Sequence, residues 1–389
     1  MPRPLDGIVV VDFTTMVAGP AATRFLADCG ADVIKVEAVG DGDQMRGGKM
    51  RTVVNRAVYG MYNAGKKSVS LDLKSDAGRE IIARLIAKAD VVVENFRPGV
   101  MARLGLDYAT LSARHPGLVY CSISGFGQQG PLAGRAAYAP VAQAYSGFEM
   151  VLARSKDLGG TPIDNGAMLA DIAGAAYAFG AIQTALLQRV RNGLGSHVDV
   201  TLVEAMMHLA GLQYQQAQSG VTPDPISYPP LKTRDGYVNI PMIAPRAMQT
   251  VLDMLGVPGW LAEARGGGQP AMAAMRKRLV AKLAEWCATR TNAECDAIMT
   301  EAGVPCAVYN EPKDVIADPH FVARGAFAEI HDDEGAINVL NPPFKISGAD
   351  CAAQPFVTRA AQNNRDVVIG MLGYGAEDYA RFEAAKTFG

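Results

Sequence analysis

With 389 residues the chain has room for two domains, and 49% apolar against 20% charged side chains is the balance of a folded globular protein, which argues against a disordered one. Its 37 basic and 39 acidic side chains leave a formal charge of −2, too little field to hold a polyanionic helix or an anionic membrane surface. Six scattered cysteines without a CxxC pair, beside five histidines, argue against a disulfide scaffold or a structural zinc site and point to a reducing, cytoplasmic compartment.

The opening residues, MPRPLDGIVVVDF, lack the long apolar region of a secretory leader. Residues 8–13 are a Val-rich run that predicts a buried parallel strand, and Gly19-Pro20 then precedes an Ala-rich helix reaching about Cys29. Pro20 suits a first helical turn, where its missing N–H leaves nothing unpaired. Further strands are expected at 33–37, 68–71, 90–94 and 118–124, with a helix over 76–88 that sets Ile81, Ile82, Leu85 and Ile86 on one face. Strand and helix in this rhythm predict an α/β fold, with right-handed crossovers and a parallel sheet covered on both faces.

Such sheets bind ligands beyond the carboxyl ends of their strands, so segments 14–19, 95–99 and 125–130 are the candidate ligand loops. None carries GxGxxG or GxxxxGK[ST]. From 167 to about 218 the pattern is helical, broken by a turn at 191–195. Within it, the apolar stretch 172–187 contains Gln183 and is short for a bilayer, which favours a buried helix. Pro223, Pro225, Pro229 and Pro230 mark a break, and Asp235-Gly236 a tight turn into a strand at 237–240 that opens a second domain. Segments 304–309 and 326–339 read as short strands, and 377–386 as a terminal helix exposed to solvent or a partner.

Asp171, between small and apolar neighbours at a helix start, reads as an N-cap or as a carboxylate available to attack a carbonyl, two roles that can coexist. Ser122-Ile-Ser-Gly125-Phe-Gly127-Gln-Gln-Gly130-Pro131 runs a strand into a glycine-dense loop; its backbone N–H groups suit an oxyanion hole or a ligand arm, or its glycines answer only to positive φ. Lys66 and Lys67 beside a turn read as a phosphate clamp or as an ordinary exposed pair. Asn95 and Phe96 suit an adenine and Arg103 a phosphate, with core packing the alternative for Phe96. His197 and His208, in helical surroundings, and Cys121, on an apolar strand, read as structural. No HExxH, GxSxG or EF-hand pattern indicates a metal.

Several stretches occur together in order: Ala18-Gly-Pro, Asp28-Cys-Gly-Ala-Asp-Val-Ile-Lys-Val-Glu37, Gly65-Lys-Lys-Ser-Val-Ser-Leu-Asp-Leu-Lys74, and Ala89-Asp-Val-Val-Val-Glu-Asn-Phe-Arg-Pro-Gly99. The glycine loop at 122–131, Ala170-Asp-Ile-Ala-Gly174, Gly303-Val-Pro305 and Asp318-Pro-His320 complete the series. In these the chain resembles the class III CoA-transferase (CaiB/BaiF) family over most of its length. The resemblance implies a Rossmann-like parallel-sheet domain built from both chain ends (1–220 and 326–389), a smaller α+β middle domain (221–325), and an interlocked homodimer with CoA between the large domain of one copy and the small domain of the other.

It further implies Asp171 as the covalent nucleophile, with Val17, Ala18, Asn95, Phe96, Arg103, Gly125, Gly127 and, less directly, Lys66 and Lys67 along the CoA path. Coenzyme A and acyl-CoA are then substrates, no cofactor is tightly held, and neither nucleic acid nor membrane is a partner. Val17 stands where oxalate- or formate-handling members have Gln, and apolar Val17 supplies no amide, so the expected acceptor is a larger or less polar acid, a dicarboxylate such as succinate, itaconate, mesaconate or a malate relative. Related acyl-CoA racemases carry a His where this chain has Tyr138; racemase chemistry and a noncatalytic CoA-binding dimer are the alternatives.

Overall fold

The structure, a computed structural model, describes residues 2–48, 52–155, 160–220 and 228–388. Two compact units emerge: Met1–Gln215 with His320–Gly389, and Gln216–Pro319. The first is built on a six-stranded sheet of β1 (Val9–Asp12), β2 (Asp32–Glu37), β3 (Lys67–Ser70), β4 (Val91–Glu94), β5 (Val119–Ser124) and β6 (His197–Thr201). Every neighbouring pair is parallel, and the order is β3-β2-β1-β4-β5-β6. The strand order reverses between β1 and β4, which makes the crevice above their carboxyl ends the expected ligand position of a doubly wound sheet.

The central strands β1 and β4 form where they do because they are continuous Val runs, and β5 beside them is likewise buried on both faces. On one face lie α1 (Ala18–Asp28) and, after the intervening helices α2 (Val53–Asn63), α3 (Asp76–Ile86), α4 (Val100–Arg103), α5 (Tyr108–Ser112), α6 (Ala139–Tyr145) and α7 (Phe148–Ser155), the long α8 (Leu169–Asn192), followed by α9 (Leu202–Leu209). At 24 residues α8 is longer than the apolar stretch 172–187 suggested, and long and apolar enough to cross a bilayer by length and composition. It nevertheless runs as a core helix, with Ala175, Ala178, Ile182 and Ala185 buried in the same cluster as residues of α1 and α9.

The opposite face is covered by α3 and the carboxyl-terminal segment. Val367, Val368, Tyr379 and Phe382 are buried there with Ile81, Ile82 and Leu85. The terminal helix Ala376–Ala384 is therefore half embedded, not free as expected, because its two aromatic rings face the core. A hairpin at Phe327–Asp332 and Gly335–Leu340 packs Ile330 and Ile337 against Tyr59 of α2, and Arg56 grips Asp332 through two hydrogen bonds of 2.6 and 2.7 Å.

The second unit holds a three-stranded antiparallel sheet (Leu231–Lys232, Tyr237–Asn239, Ala307–Val308) covered by helices Pro245–Met254, Gly268–Ala288 and Asn292–Glu301. Its core is Val238, Met248, Leu252, Leu279, Leu283 and Met299. Thr291 and Glu294 form a capping box that starts the last of these helices. The prolines at 223 and 225 lie outside the described residues.

Candidate active site

A cavity of about 630 Å³ opens above the carboxyl ends of β1, β4 and β5, at the reversal of strand order, and Asp171 lines it. Asp171 lies in the first turn of α8, but the N-cap is Met168 and makes no side-chain cap bond. The capping role expected as an alternative is thus absent, because the helix begins two residues before Asp171. Among the described residues its carboxylate has no hydrogen-bond or ion-pair partner, and burial alone pushes it up to about 6. That leaves the group about nine-tenths ionised at pH 7, with its lone pairs uncommitted. The phenol of Tyr62 is raised by burial and then by the charge of Asp171, so α2 brings a hydroxyl near the carboxylate.

The start of α8 is held from α6, where Gln143 Oε1 accepts from the Ala170 N–H at 3.4 Å. At Gly174, one turn on, a Cβ would stand 2.5 Å from Leu202 Cδ2, so glycine lets α8 close on α9. Leu202 itself lines the cavity.

Across the cavity runs the loop after β1. Asn95 clamps it from β4: Oδ1 accepts from Thr15 N at 2.9 Å and Nδ2 donates to Thr15 O at 2.8 Å. Both polar ends of Asn95 bond the Thr15 backbone, so it shapes the loop, and one amide hydrogen remains beyond those two bonds. Met16 then adopts φ +68°, a left-handed conformation a methionine rarely takes, with its N–H 3.3 Å from Asp43 Oδ1. Val17 follows as a buried cap of α1, and with Ala18 it lines the cavity. Phe96 and Arg97 line it from the β4 side, Phe96 also packing on the core. Arg103 ends α4 and does not reach the cavity.

The lysines stand elsewhere. Lys66 is fully buried and directs Nζ to Asp12 Oδ2 at 3.0 Å, Pro20 O at 2.9 Å and Asn63 Oδ1 at 3.0 Å. All three ammonium protons are used, and none remains for a phosphate. Lys67 begins β3 and pairs with Asp32 at the start of β2 at 2.8 Å, on the edge of the sheet opposite the cavity. The clamp expected of this pair does not form.

Gly125 lines the cavity, and a Cβ there would meet Ala137 Cβ at 2.2 Å, because the loop before α6 returns directly over it. Gly127 faces away: its N–H donates to Ser124 Oγ at 3.0 Å and its φ is +85°. Of the two glycines, only Gly125 is placed to present backbone to a ligand. Tyr138 caps α6 and lines the cavity with 66% of its surface exposed.

His197 lies on β6, not in a helix as expected, and it does serve packing. It stacks on Tyr108 with ring centroids 5.0 Å apart, and Nε2 is 3.0 Å from Ser122 Oγ. His208 meets Tyr177 edge-on. Cys121 is wholly buried, and burial together with the charge of Glu94 raises its thiol far out of the reactive range.

Sequence reasoning missed Glu94. Glu94, Ser122 and Asp199 stand in register across β4, β5 and β6 on one face. Burial pushes Glu94 up to about 7, helped by the charge of Asp199 and opposed by bonds from Ser122 and the Phe96 N–H at 2.8 Å. Arg97, Arg135 and Gln143 were also passed over. Each is unremarkable in its local sequence, and each gains meaning only from the loops that converge on the cavity. Among the described residues no three His, Cys, Asp or Glu side chains are placed to hold a metal ion.

A half-buried, unpartnered aspartate at the mouth of a doubly wound crevice suits acyl chemistry, and relatives of the chain are named for CoA transfer. It is 31% identical to succinyl-CoA:glutarate CoA-transferase of Mus musculus, over 96% of this chain and 87% of that protein. It is 30% identical to succinyl-CoA--D-citramalate CoA-transferase of Chloroflexus aurantiacus, over 99% and 98%. The crystal structure of a CaiB/BaiF family protein from Brucella suis superposes with a TM-score of 0.79 at 32% identity, covering 96% of this chain and all of that one. Residues 5–355 match the model of CoA-transferase family III, and with the whole-length relatives this shows that the chain belongs to that family.

Proposed function

We propose that this protein moves CoA from an acyl-CoA donor to a free dicarboxylic acid, with Asp171 as the covalent carrier. The observation that supports it most is the Asp171 carboxylate itself: half-buried, ionised and unpartnered in the cavity above the sheet's carboxyl ends. In the first step that carboxylate attacks the thioester carbonyl and expels CoA thiolate, leaving a mixed anhydride. The thiolate then attacks the Asp171 acyl carbon, releasing the donor acid and leaving an aspartyl-CoA thioester. The acceptor carboxylate displaces thiolate from that thioester, and the thiolate finally attacks the acceptor acyl carbon, freeing Asp171 and the new acyl-CoA. Every bond broken is matched by one formed, and no net proton moves.

Gly125 is positioned for the oxyanion that develops at each addition, and the apolar wall of Val17, Ala18 and Leu202 keeps water from the anhydride. Phe96 and Arg97 are the better candidates for the nucleotide end of CoA than Arg103 or the lysines. Relatives named for transfer from succinyl-CoA to glutarate and to D-citramalate support a dicarboxylate acceptor. Assembly as a homodimer belongs to the same proposal, and a sedimentation mass near twice that of the chain checks it.

Incubation with succinyl-CoA, quenching with hydroxylamine and peptide mass analysis tests the carrier. A hydroxamate at Asp171 is expected; exchange of CoA between acids without any adduct there defeats the covalent route.

A further inference from the structure

We propose that Arg135 binds the far carboxylate of the acceptor acid and so makes the site selective for dicarboxylates; this rests on the transferase reading of Asp171. Arg135 lines the same cavity as Asp171, in the loop that passes over Gly125 and enters α6. From α6 the side chain of Gln143 reaches the backbone of Ala170, next to Asp171. One short piece of chain therefore carries both the guanidinium and the contact that holds the nucleophile's helix.

The guanidinium lies over two rings, 5.5 Å from the centroid of Phe126 and 5.2 Å from that of Tyr145. Those rings meet edge to face at 5.0 Å, which makes a rigid shelf. A cation–π contact uses the face of the guanidinium and leaves its N–H edges free for a planar, two-oxygen acceptor. Among the described residues no carboxylate or carbonyl takes those N–H groups. By contrast, Arg24, Arg46 and Arg56 of the same unit each bind an acid at 2.7 Å or less.

A dicarboxylate needs such a group. Its attacking carboxylate must approach the acyl carbon on Asp171, and its second one enters the same cavity as an unpaired charge unless a cation meets it. Gln143 carries no charge to offset it, and its amide already bonds Ala170 N and Glu149. Arg97, the other cation at the cavity, stands with Phe96 on the β4 side and also borders the small adjoining cavity beside Glu94 and Asp107.

The test is steady-state transfer from saturating succinyl-CoA to glutarate and to pentanoate, which differ by the far carboxylate. For the parent, kcat/KM for glutarate should exceed that for pentanoate. In Arg135→Gln the ratio should fall by roughly tenfold or more, through KM for glutarate, and Arg135→Lys should restore part of it by supplying charge without the fork. A parent ratio near one, or a ratio unchanged in a Gln variant that still melts cooperatively, overturns the inference while leaving Asp171 transfer intact. A parent that moves CoA to no acid at all removes the transferase reading and this inference with it.

Discussion

Asp12 is a fully buried and Asp171 a half-buried aspartate of the sheet unit, and the protein treats them in opposite ways. Asp12 ends β1 with no exposure and is enclosed by partners: the Thr14 N–H at 2.8 Å, the Thr23 hydroxyl at 2.7 Å and Lys66 Nζ at 3.0 Å. Burial pushes its pKa up, but the charges of Lys66 and Lys35 and the threonine hydroxyls outweigh this, and the net direction is down. Asp171 has burial alone and moves up to about 6. Partnership therefore separates a carboxylate that fixes the first loop from one that is free to react. Lys35 extends the fixed network to Thr14 O at 2.7 Å and to Asp43 at 2.8 Å, and Asp43 holds Met16, so the paired charges hold the wall against which the unpaired one works.

The sharpest break in that contrast is Asp171→Ala. It should lower CoA exchange by about 10³-fold or more while leaving the thermal midpoint near or above the parent value, since no bond is lost. Exchange near the parent rate would move the nucleophile elsewhere. In the parent, log kcat/KM should fall with unit slope below pH of about 6, where Asp171 gains its proton; an ordinary aspartate would hold its plateau about two units further into acid.

Lys66→Met attacks the other side of the comparison. It removes the partner that Asp12 requires and strands a buried carboxylate, at a cost of about 3–5 kcal/mol in urea unfolding. Adding Asp12→Asn to the same chain should return a large part of the loss, because the stranded charge goes with it. A single variant within 1 kcal/mol of the parent would mean that Lys66 is not the counter-charge described here, since breaking a buried pair costs about three times that at least.

The contrast also explains what could be read in advance. Strands β1 and β4 carry unbroken Val runs, and β2 and β5 are apolar over half or more of their length, so their burial on two faces was legible. Strand β6, His197–Thr201, alternates instead; its polar side faces Ser122, a partner some 75 residues earlier, and local pattern absorbed it into a helix. Asp171 stood out because its neighbours are small, whereas its failure to cap depends on where α8 begins. Lys66 was misplaced for a related reason. Lysine is normally exposed, and the three acceptors that bury it come from β1, α1 and α2, which only the fold brings together. Arg135 is distinguished by its place over Phe126 and Tyr145 at the cavity, a juxtaposition that leaves no mark in a sequence.

Glu94 lies between the two extremes, partnered by Ser122 and the Phe96 N–H yet raised to about 7 by burial and the nearby Asp199 charge. The folded state holds its proton longer than the unfolded chain does, so parent stability should decline between pH 4.5 and about 7 on its account. Glu94→Gln keeps an oxygen for the Phe96 N–H and removes the charge. It should gain about 2 kcal/mol at pH 8 and nothing at pH 4, measured by urea unfolding at both values. A loss at pH 8 would show that the ionised group is the one the fold prefers.

Asp171→Asn is the smallest and most diagnostic change, since it keeps shape and burial while cancelling charge. The Asp171 carboxyl is raised in the folded state, so the folded protein prefers it neutral, and the parent should lose stability as pH rises from 3.8 through about 6. Above that range the Asn variant should be more stable by about 1 kcal/mol, a figure reduced for partial solvent access, and below pH 4 the two should coincide. The same variant should lack the Asp171 hydroxamate. Stability gained where exchange is lost is the mark of a charge kept for reaction at the fold's expense. Lower stability of the Asn variant at pH 8 would instead mean that Asp171 has a partner in solution, and the distinction from Asp12 would no longer stand.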